Sequence, residues 1–415
     1  MSTSTENKKP MLASMVQAGE QQTEAEVIND FICMAHDISN AYLINTDDGD
    51  VMINTGFMAG AERNKKLFEP KRSGALKAIV LTQAHPDHYG GVPVFQEEGT
   101  QVIAERRFTD TRDYFLMLDA YIRGRSGKIW KGTVKGRSMQ VPKITPDVAT
   151  DGSYTLSVGN RTFEVLSTPG GESLDAVVVW MPNEKIVFTG NLFGPIFLSV
   201  PNLCTTRGDK PRSAALWLKC LDKVRELGAE LLITGHGAPI VGKEKIRADL
   251  DKMHAAISYV HDQTVAGMNA GKDVHTLMRD IQLPADIKIG EFHGKVSWAV
   301  KTIWEEYSGW FHMDSTTSLY AVPRTSINND LVELSGGADK VAERAEQKLA
   351  TNQPLEALHL VDISLNTQPE HQPSLLVKKA ALEQLLEVSG GQNMSETMWL
   401  KNQITDIDIP SEENL

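Results

Sequence analysis

The chain has 415 residues, room for two or three domains and a core that needs no covalent staples. Its 42 Lys and Arg against 54 Asp and Glu leave a net charge of −12, which argues against nucleic acid as a partner because phosphate binding needs a basic surface. The 41% hydrophobic fraction and three scattered cysteines (Cys33, Cys204, Cys220) exclude general disorder, a disulfide framework and a thiolate zinc site. No apolar run reaches the roughly 18 residues of a membrane span. The opening MSTSTENKKPMLASMVQ has lysines but no apolar stretch behind them, so a cytoplasmic location without a secretory signal is expected.

In chain order, residues 1–25 read as a flexible polar lead-in. Ala41-Tyr42-Leu43-Ile44-Asn45 and Val51-Met52-Ile53-Asn54 flank Asp47-Asp48-Gly49, the pattern of a β-hairpin. A buried strand is expected over 77–81, with more at 101–104, 161–166, 176–180, 185–188 and 230–233. Helices are expected at 108–122 and 213–227. Strands interleaved with helices over the first 240 or so residues point to an α/β layered domain. Beyond 243 the pattern turns helical, over 245–270, 274–281 and 296–307. Aromatics gather there in Trp298, Trp304, Tyr307, Trp310 and Phe311 and are read as helical core or subunit contact. Four further helices, 338–351, 354–366, 374–388 and 394–403, pair either as tetratricopeptide-like hairpins or as an ordinary bundle. An acidic tail closes the chain.

Chemistry concentrates in Leu81-Thr82-Gln83-Ala84-His85-Pro86-Asp87-His88-Tyr89-Gly90-Gly91, which begins where the strand over 77–81 ends. Loops at strand ends are where α/β sheets bind ligands. His85, Asp87 and His88 offer two imidazoles and a carboxylate within four residues, donors that suit zinc. A second strand runs into Gly235-His236-Gly237, whose glycines allow close backbone approach to a ligand. His254, His261, His275, His293, His312, His359 and His371 lie in predicted helices or connections without an acid–base partner, and no site role is expected of them.

These segments resemble, in order and spacing, the metallo-β-lactamase fold family. Its His-x-His-x-Asp-His pattern stands here as Gln83-Ala84-His85-Pro86-Asp87-His88. Asn54-Thr55-Gly56, Phe188-Thr189-Gly190-Asn191 and Gly235-His236-Gly237 supply its other elements. Thr168-Pro169-Gly170-Gly171-Glu172 and Asn202-Leu203-Cys204-Thr205-Thr206-Arg207-Gly208 are similar to motifs of the alkylsulfatase branch. Tyr259 to Thr264, and Gly309-Trp310-Phe311 with the run to Pro323, resemble that branch's helical dimerisation domain. The resemblance implies an αββα sandwich over 26–245 and a helical dimerisation region over 246–325; the helix pattern and composition give TPR-like hairpins over 326–405 and an acidic tail over 406–415. The resemblance also implies a further sterol-carrier-like domain in full-length members, for which no room is expected here.

By the same resemblance one metal would use Gln83, His85 and Glu172, and a second Asp87, His88 and His236, with position 191 bridging. Arg207 would hold a sulfate group. Tyr89, read from its position after Asp87 and His88 alone, either faces the substrate pocket or is a packing residue. The sequence departs from the pattern where it matters most. Gln83 stands for a histidine and Asn191 for the bridging acid, so neutral amide oxygens replace stronger donors. Asn54, where many members have Asp, is a milder departure. One firmly held ion at Asp87, His88 and His236 is therefore expected, zinc first and manganese or iron as alternatives, with a weak or absent second. The expected activity is hydrolysis of a small organic sulfate ester, carboxylic ester or ether, with the ion lowering the pKa of bound water to about 7 and Asp87 catalytic. A different class of reading is a catalytically degenerate subunit of a hetero-oligomer with an active relative. The expected partners are a small-molecule substrate and a second subunit, either a homodimer mate or a relative, with no nucleic acid and no membrane.

Overall fold

A computed structural model describes residues 18–129, 141–210 and 212–407. Most of the expected lead-in and tail lie outside the described residues. Seven strands form one sheet in chain order: β1 (Glu26–Asn29), β2 (Ile32–Ala35), β3 (Ala41–Thr46), β4 (Gly49–Ile53), β5 (Leu76–Val80), β6 (Gln101–Glu105) and β7 (Val148–Thr150). Pairing is antiparallel up to β4 and parallel from β4 onward. A second sheet holds β8 (Ser153–Val158), β9 (Arg161–Ser167), β10 (Val177–Met181), β11 (Ile186–Gly190), β12 (Leu231–Thr234) and β13 (Ile240–Val241), ordered β13-β12-β11-β10-β9-β8. Only its β11–β12 pair is parallel.

The central strands read as continuous apolar runs because both of their faces are covered. Along β10, Val177, Val179 and Met181 point into the core between the sheets, and Val178 and Trp180 point to the outer layer. The same alternation in β3 sends Tyr42 and Ile44 inward and Leu43 outward. Tyr42 meets Phe188 of the opposite sheet edge-on, with ring centroids 5.3 Å apart. Each such fully buried side chain contributes about 1.5–3 kcal/mol of transfer free energy, so the inter-sheet layer is the mechanical base on which the loops above it rest.

Helices close both outer faces, giving the expected αββα sandwich. Ala61–Phe68 and Val92–Phe95 cover the first sheet. Ala214–Leu227, Lys243–Asn269 and Val296–Ser308 cover the second. The helix Ala214–Leu227 starts where Ser213 Oγ accepts from the Leu216 N–H and buries Ala214, Trp217, Cys220, Leu221 and Val224 at helical spacing. It stops at Gly228, whose φ of +68° is the left-handed cap that glycine adopts most easily. The helix expected over 108–122 breaks at Leu118 into Phe108–Met117 and Asp119–Ile129.

The chain divides into two compact units after Tyr307, with the end of the helix Asp119–Ile129 grouped with the second, so that the helix Lys243–Asn269 belongs to the first. The reason is packing: Ile246, Leu250, Met253, Ile257 and Val260 share one hydrophobic cluster with Val178, Val187 and Leu232 of the second sheet. The second unit contains the helices Asn328–Leu334, Ala338–Ala350, Pro354–Thr367, Gln372–Val388 and Met394–Thr405. Their contacts are small clusters such as Ala345, Ala357 and Val361. Trp310 is 75% exposed, so the helical-core reading does not hold for it, and Tyr320 further along is 69% exposed. Among the described residues, no helix is long and apolar enough to cross a membrane.

Candidate metal centre

The residues singled out by sequence lie at one rim of the sandwich, on the loops that follow β4, β5, β9, β11 and β12. After β5 the chain passes Gln83 and His85 and makes one helical turn, Pro86–Tyr89, with Pro86 in the first position. Proline is pre-organised for that position, and the turn carries Asp87 and His88 into the rim. After β12 the chain turns at once into Gly235 and His236, and Gly235 N–H donates to Gly190 O at 2.8 Å. A Cβ at Gly235 would overlap Asn191 Oδ1 and His88 Cε1, so only glycine lets these three loops close on one another.

One half of the centre is built by Asp87, His88 and His236. Their donor atoms all lie within 4.8 Å of one another. Asp87 Oδ2 is 3.7 Å from His88 Nε2 and 3.9 Å from His236 Nε2, and the two rings stand nearly perpendicular at 5.8 Å. His88 Nε2 and His236 Nδ1 are buried and have no hydrogen-bond partner among the described residues. Burial, against the pull of Asp87, pushes the His88 pKa down to about 4. Burial also opposes ionisation of Asp87, but His88, His236 and His85 outweigh it and hold the carboxyl below its ordinary range. A carboxylate and two imidazoles converging, with orphaned nitrogens, fit a divalent ion of the zinc type.

The other half is organised around Glu172, whose two carboxylate oxygens both face donors of this chain. Asn191 Nδ2 donates to Glu172 Oε2 at 2.9 Å, and Gln83 Nε2 donates to the same oxygen at 3.4 Å. Glu172 Oε1 has Arg212 Nη1 at 3.6 Å and His293 Nε2 at 4.0 Å. His85 lies here too, with Nδ1 3.4 Å from Glu172 Oε2, Nε2 3.7 Å from Asp209 Oδ2, and the Gln83 amide against Nδ1. Burial works against a charge on His85, but Asp209 and Glu172 outweigh it and raise its pKa to about 9. Burial likewise opposes ionisation of Glu172, and Arg212, His85 and His293 overcome it and hold the carboxyl well below its ordinary value. Arg212 itself is buried; it bonds Asn202 O at 2.5 Å and lies 3.4 Å from Asp209 Oδ2. Gln83 Oε1, Asn191 Oδ1, His85 Nε2 and Arg212 Nε are buried without a hydrogen-bond partner among the described residues.

The other expected residues are distributed unevenly. Arg207 lies at the edge of this half, with Nη2 3.7 Å from Asp209 Oδ2, and its carbonyl accepts from Arg125 Nε at 2.8 Å. Tyr89 does not reach the substrate side. It is 1% exposed and packs edge-on against Phe108 at 5.2 Å, because the single helical turn that aims Asp87 and His88 at the rim aims Tyr89 into the core. Sequence reasoning passed over Asp209, Arg212 and His293. The Asn202–Gly208 motif marked the loop that carries the first two, whereas nothing local distinguished His293 from the other histidines. A cavity of about 330 Å³ adjoins the Glu172 half, lined in part by Tyr114, Glu172, Leu174, Asp209, Arg212 and Leu216.

Comparison with known proteins places this architecture. Residues 35–236 match the profile of the metallo-beta-lactamase superfamily, and residues 274–400 match that of alkyl sulfatase dimerisation. A linear primary-alkylsulfatase of Pseudomonas sp. (strain ATCC 19151) is 27% identical over 329 residues, covering 72% of this chain and 61% of that protein. An alkyl/aryl-sulfatase of Saccharomyces cerevisiae is 25% identical over 383 residues, covering 84% of this chain and 58% of that protein. The chain thus spans about three-fifths of the length of these curated relatives. Among solved structures, the stereoselective inverting sec-alkylsulfatase Pisa1 from Pseudomonas sp. superposes with a TM-score of 0.83 at 20% identity, over 98% of this chain and 70% of that one. At that identity the likeness concerns the fold.

Proposed function

Because the chain is an alkylsulfatase-like member of the metallo-β-lactamase superfamily, we propose that it is a hydrolase of small organic sulfate esters that works with one firmly held divalent ion. The observation that carries this reading is the convergence of the Asp87, His88 and His236 donors, two of whose ring nitrogens are buried without partners. When bound there, zinc, or alternatively manganese or iron, supplies Lewis acidity and lowers the pKa of a water it holds toward about 7. Asp87, kept ionised by its neighbours, supplies negative charge to the ion and a place for a proton. Arg207 offers a planar fork that suits two sulfate oxygens. The cavity beside Glu172, lined by both polar and apolar side chains, offers room for the organic group of the ester.

A single ion is supported by the state of the Glu172 half. Both Glu172 oxygens already face donors of this chain, and Arg212 brings a permanent positive charge to the place where the family pattern implies a second ion. In this reading His85, Gln83, Asn191 and Glu172 form a polar wall, and the Asn191 and Gln83 oxygens remain free to face water or substrate. The exposed Trp310 and Tyr320 and the match to a dimerisation family support pairing through the helical unit.

The loss of two family ligands at Gln83 and Asn191 favours one other reading, a non-catalytic subunit that assembles with an active relative. The two separate cleanly. The purified chain should be assayed on sulfate esters, carboxylic esters and aryl ethers with zinc or manganese supplied. Sulfate release that requires metal and disappears in His88→Ala is expected. Turnover unchanged in His88→Ala would overturn the assigned site, and turnover seen only after adding a relative would establish the subunit reading.

A further inference from the structure

Asn54 follows β4 with a φ of +55°, a left-handed conformation that Asn and Asp tolerate better than most residues. Its amide orientation is fixed by chemistry. The Thr82 backbone N–H, which can only donate, faces Asn54 Oδ1 at 2.9 Å, and the Thr82 hydroxyl donates to the same oxygen at 3.1 Å. The Asn54 amide nitrogen is therefore the atom that faces His88, 2.9 Å from Nδ1. An amide N–H₂ has no acceptor capacity, so this contact is a hydrogen bond only if His88 Nδ1 accepts. The ring proton then lies on Nε2, pointing toward Asp87 Oδ2 at 3.7 Å.

That tautomer conflicts with ligation, because Nε2 must offer its lone pair to an ion. Moving the proton to Nδ1 sets it against the Asn54 amide hydrogens and requires a different acceptor. Two hydroxyl oxygens reach Nδ1, Thr82 Oγ1 at 3.4 Å and Ser39 Oγ at 3.0 Å; Ser39 is the nearer acceptor and can donate its own hydrogen to Gly235 O at 3.2 Å. All of these side chains are buried, so water does not substitute readily for either partner.

We propose that Asn54 and Ser39 are opposed positioning residues that hold different tautomers of His88, Asn54 the Nε2–H form that resists metal and Ser39 the Nδ1–H form that accepts it. Metal binding selects the Ser39 form, at the cost of the Asn54 contact. The chain thereby tunes its affinity through a residue that touches no ion. The inference rests on His88 being a ligand in the proposed centre. It differs from the function reading in that the tautomer exists in the metal-free protein.

The test uses the full chain labelled with ¹⁵N-histidine, the His88 signals being identified by their loss in His88→Gln. Metal-free wild type should show His88 protonated at Nε2, and Asn54→Asp, which keeps the backbone conformation and supplies a carboxylate acceptor, should show Nδ1–H. Zinc affinity, read by competition with a chromophoric chelator, should tighten about 10- to 100-fold in Asn54→Asp and weaken by a similar factor in Ser39→Ala. Ser39→Thr, which retains the hydroxyl, should restore it. Nδ1–H in the metal-free wild type, or equal affinity in Asn54→Asp and wild type, overturns the proposal. A tautomer switch in Asn54→Asp with no zinc bound by any variant would uphold Asn54's control of the ring and overturn the metal-centre reading instead.

Discussion

The two halves of the rim use nearly the same residue types and arrive at opposite electrostatic states. Around Asp87 one carboxylate meets two imidazoles, and burial drives His88 toward its neutral form. Around Glu172 two carboxylates meet a guanidinium and an imidazole that they hold protonated, and the oxygens of Glu172 are met by Asn191, Gln83, Arg212 and His293. The difference comes from Arg212. A buried cation supplied by the chain removes the electrostatic demand for an external one. A half-site without such a cation keeps that demand. Ligand type by itself therefore does not make a metal site; the sum of charge already present decides.

This contrast can be broken first through Arg212. Arg212→Met should leave Glu172 and Asp209 buried without their counter-charge and lower the unfolding free energy by about 3–5 kcal/mol, measured by urea denaturation of the metal-free chain. A loss below about 1 kcal/mol would mean that the Glu172 half is not internally neutralised. Next in size, His88→Ala or His236→Ala should weaken zinc binding by roughly 100-fold or more, about 2.7 kcal/mol, in chelator competition. Glu172→Gln should change it less than about tenfold; equal losses in the two halves would erase the distinction between them. Arg207→Ala should raise KM for a sulfate ester about tenfold with a smaller change in kcat, the signature of an anchor used equally in ground and transition states. The smallest effect belongs to Tyr89→Phe. Because its ring packs in the core, stability should move by less than about 1 kcal/mol and KM should not change.

Much of the fold was legible. Strands buried on both faces, such as β3, β5, β10 and β11, stand out as short apolar runs between turn residues, and their expected ranges fall within two residues of the observed ones. Five strands escaped notice, β1, β2, β7, β8 and β13; β2 is a short buried apolar run, and others have weak local signals. β8 is an edge strand with exposed alternate positions, and β13 is only two residues long. The compact units part after Tyr307 and not at the change of sequence pattern near 245, because an amphipathic helix has the same sequence pattern whether it packs on a sheet or on other helices. Lys243–Asn269 packs against the second sheet, which periodicity cannot reveal.

The site divides in the same way. His85, Asp87, His88 and His236 follow strand ends at telling spacings, so the sequence by itself determined which loops carry chemistry and which donors they offer. It also exposed the substitutions at Gln83, Asn191 and Asn54, since these are departures from a local pattern. Only the tertiary structure decided that His85 stands with Glu172 and Asp209, that Arg212 stands 40 residues from Glu172 in sequence yet 3.6 Å away in space, and that the Asn54 amide turns its donor toward His88. The physical reason is that residue type fixes what a group can donate, accept or charge, while burial and the sum of neighbouring charges fix which of those it does. Those neighbours come from loops far apart in the chain.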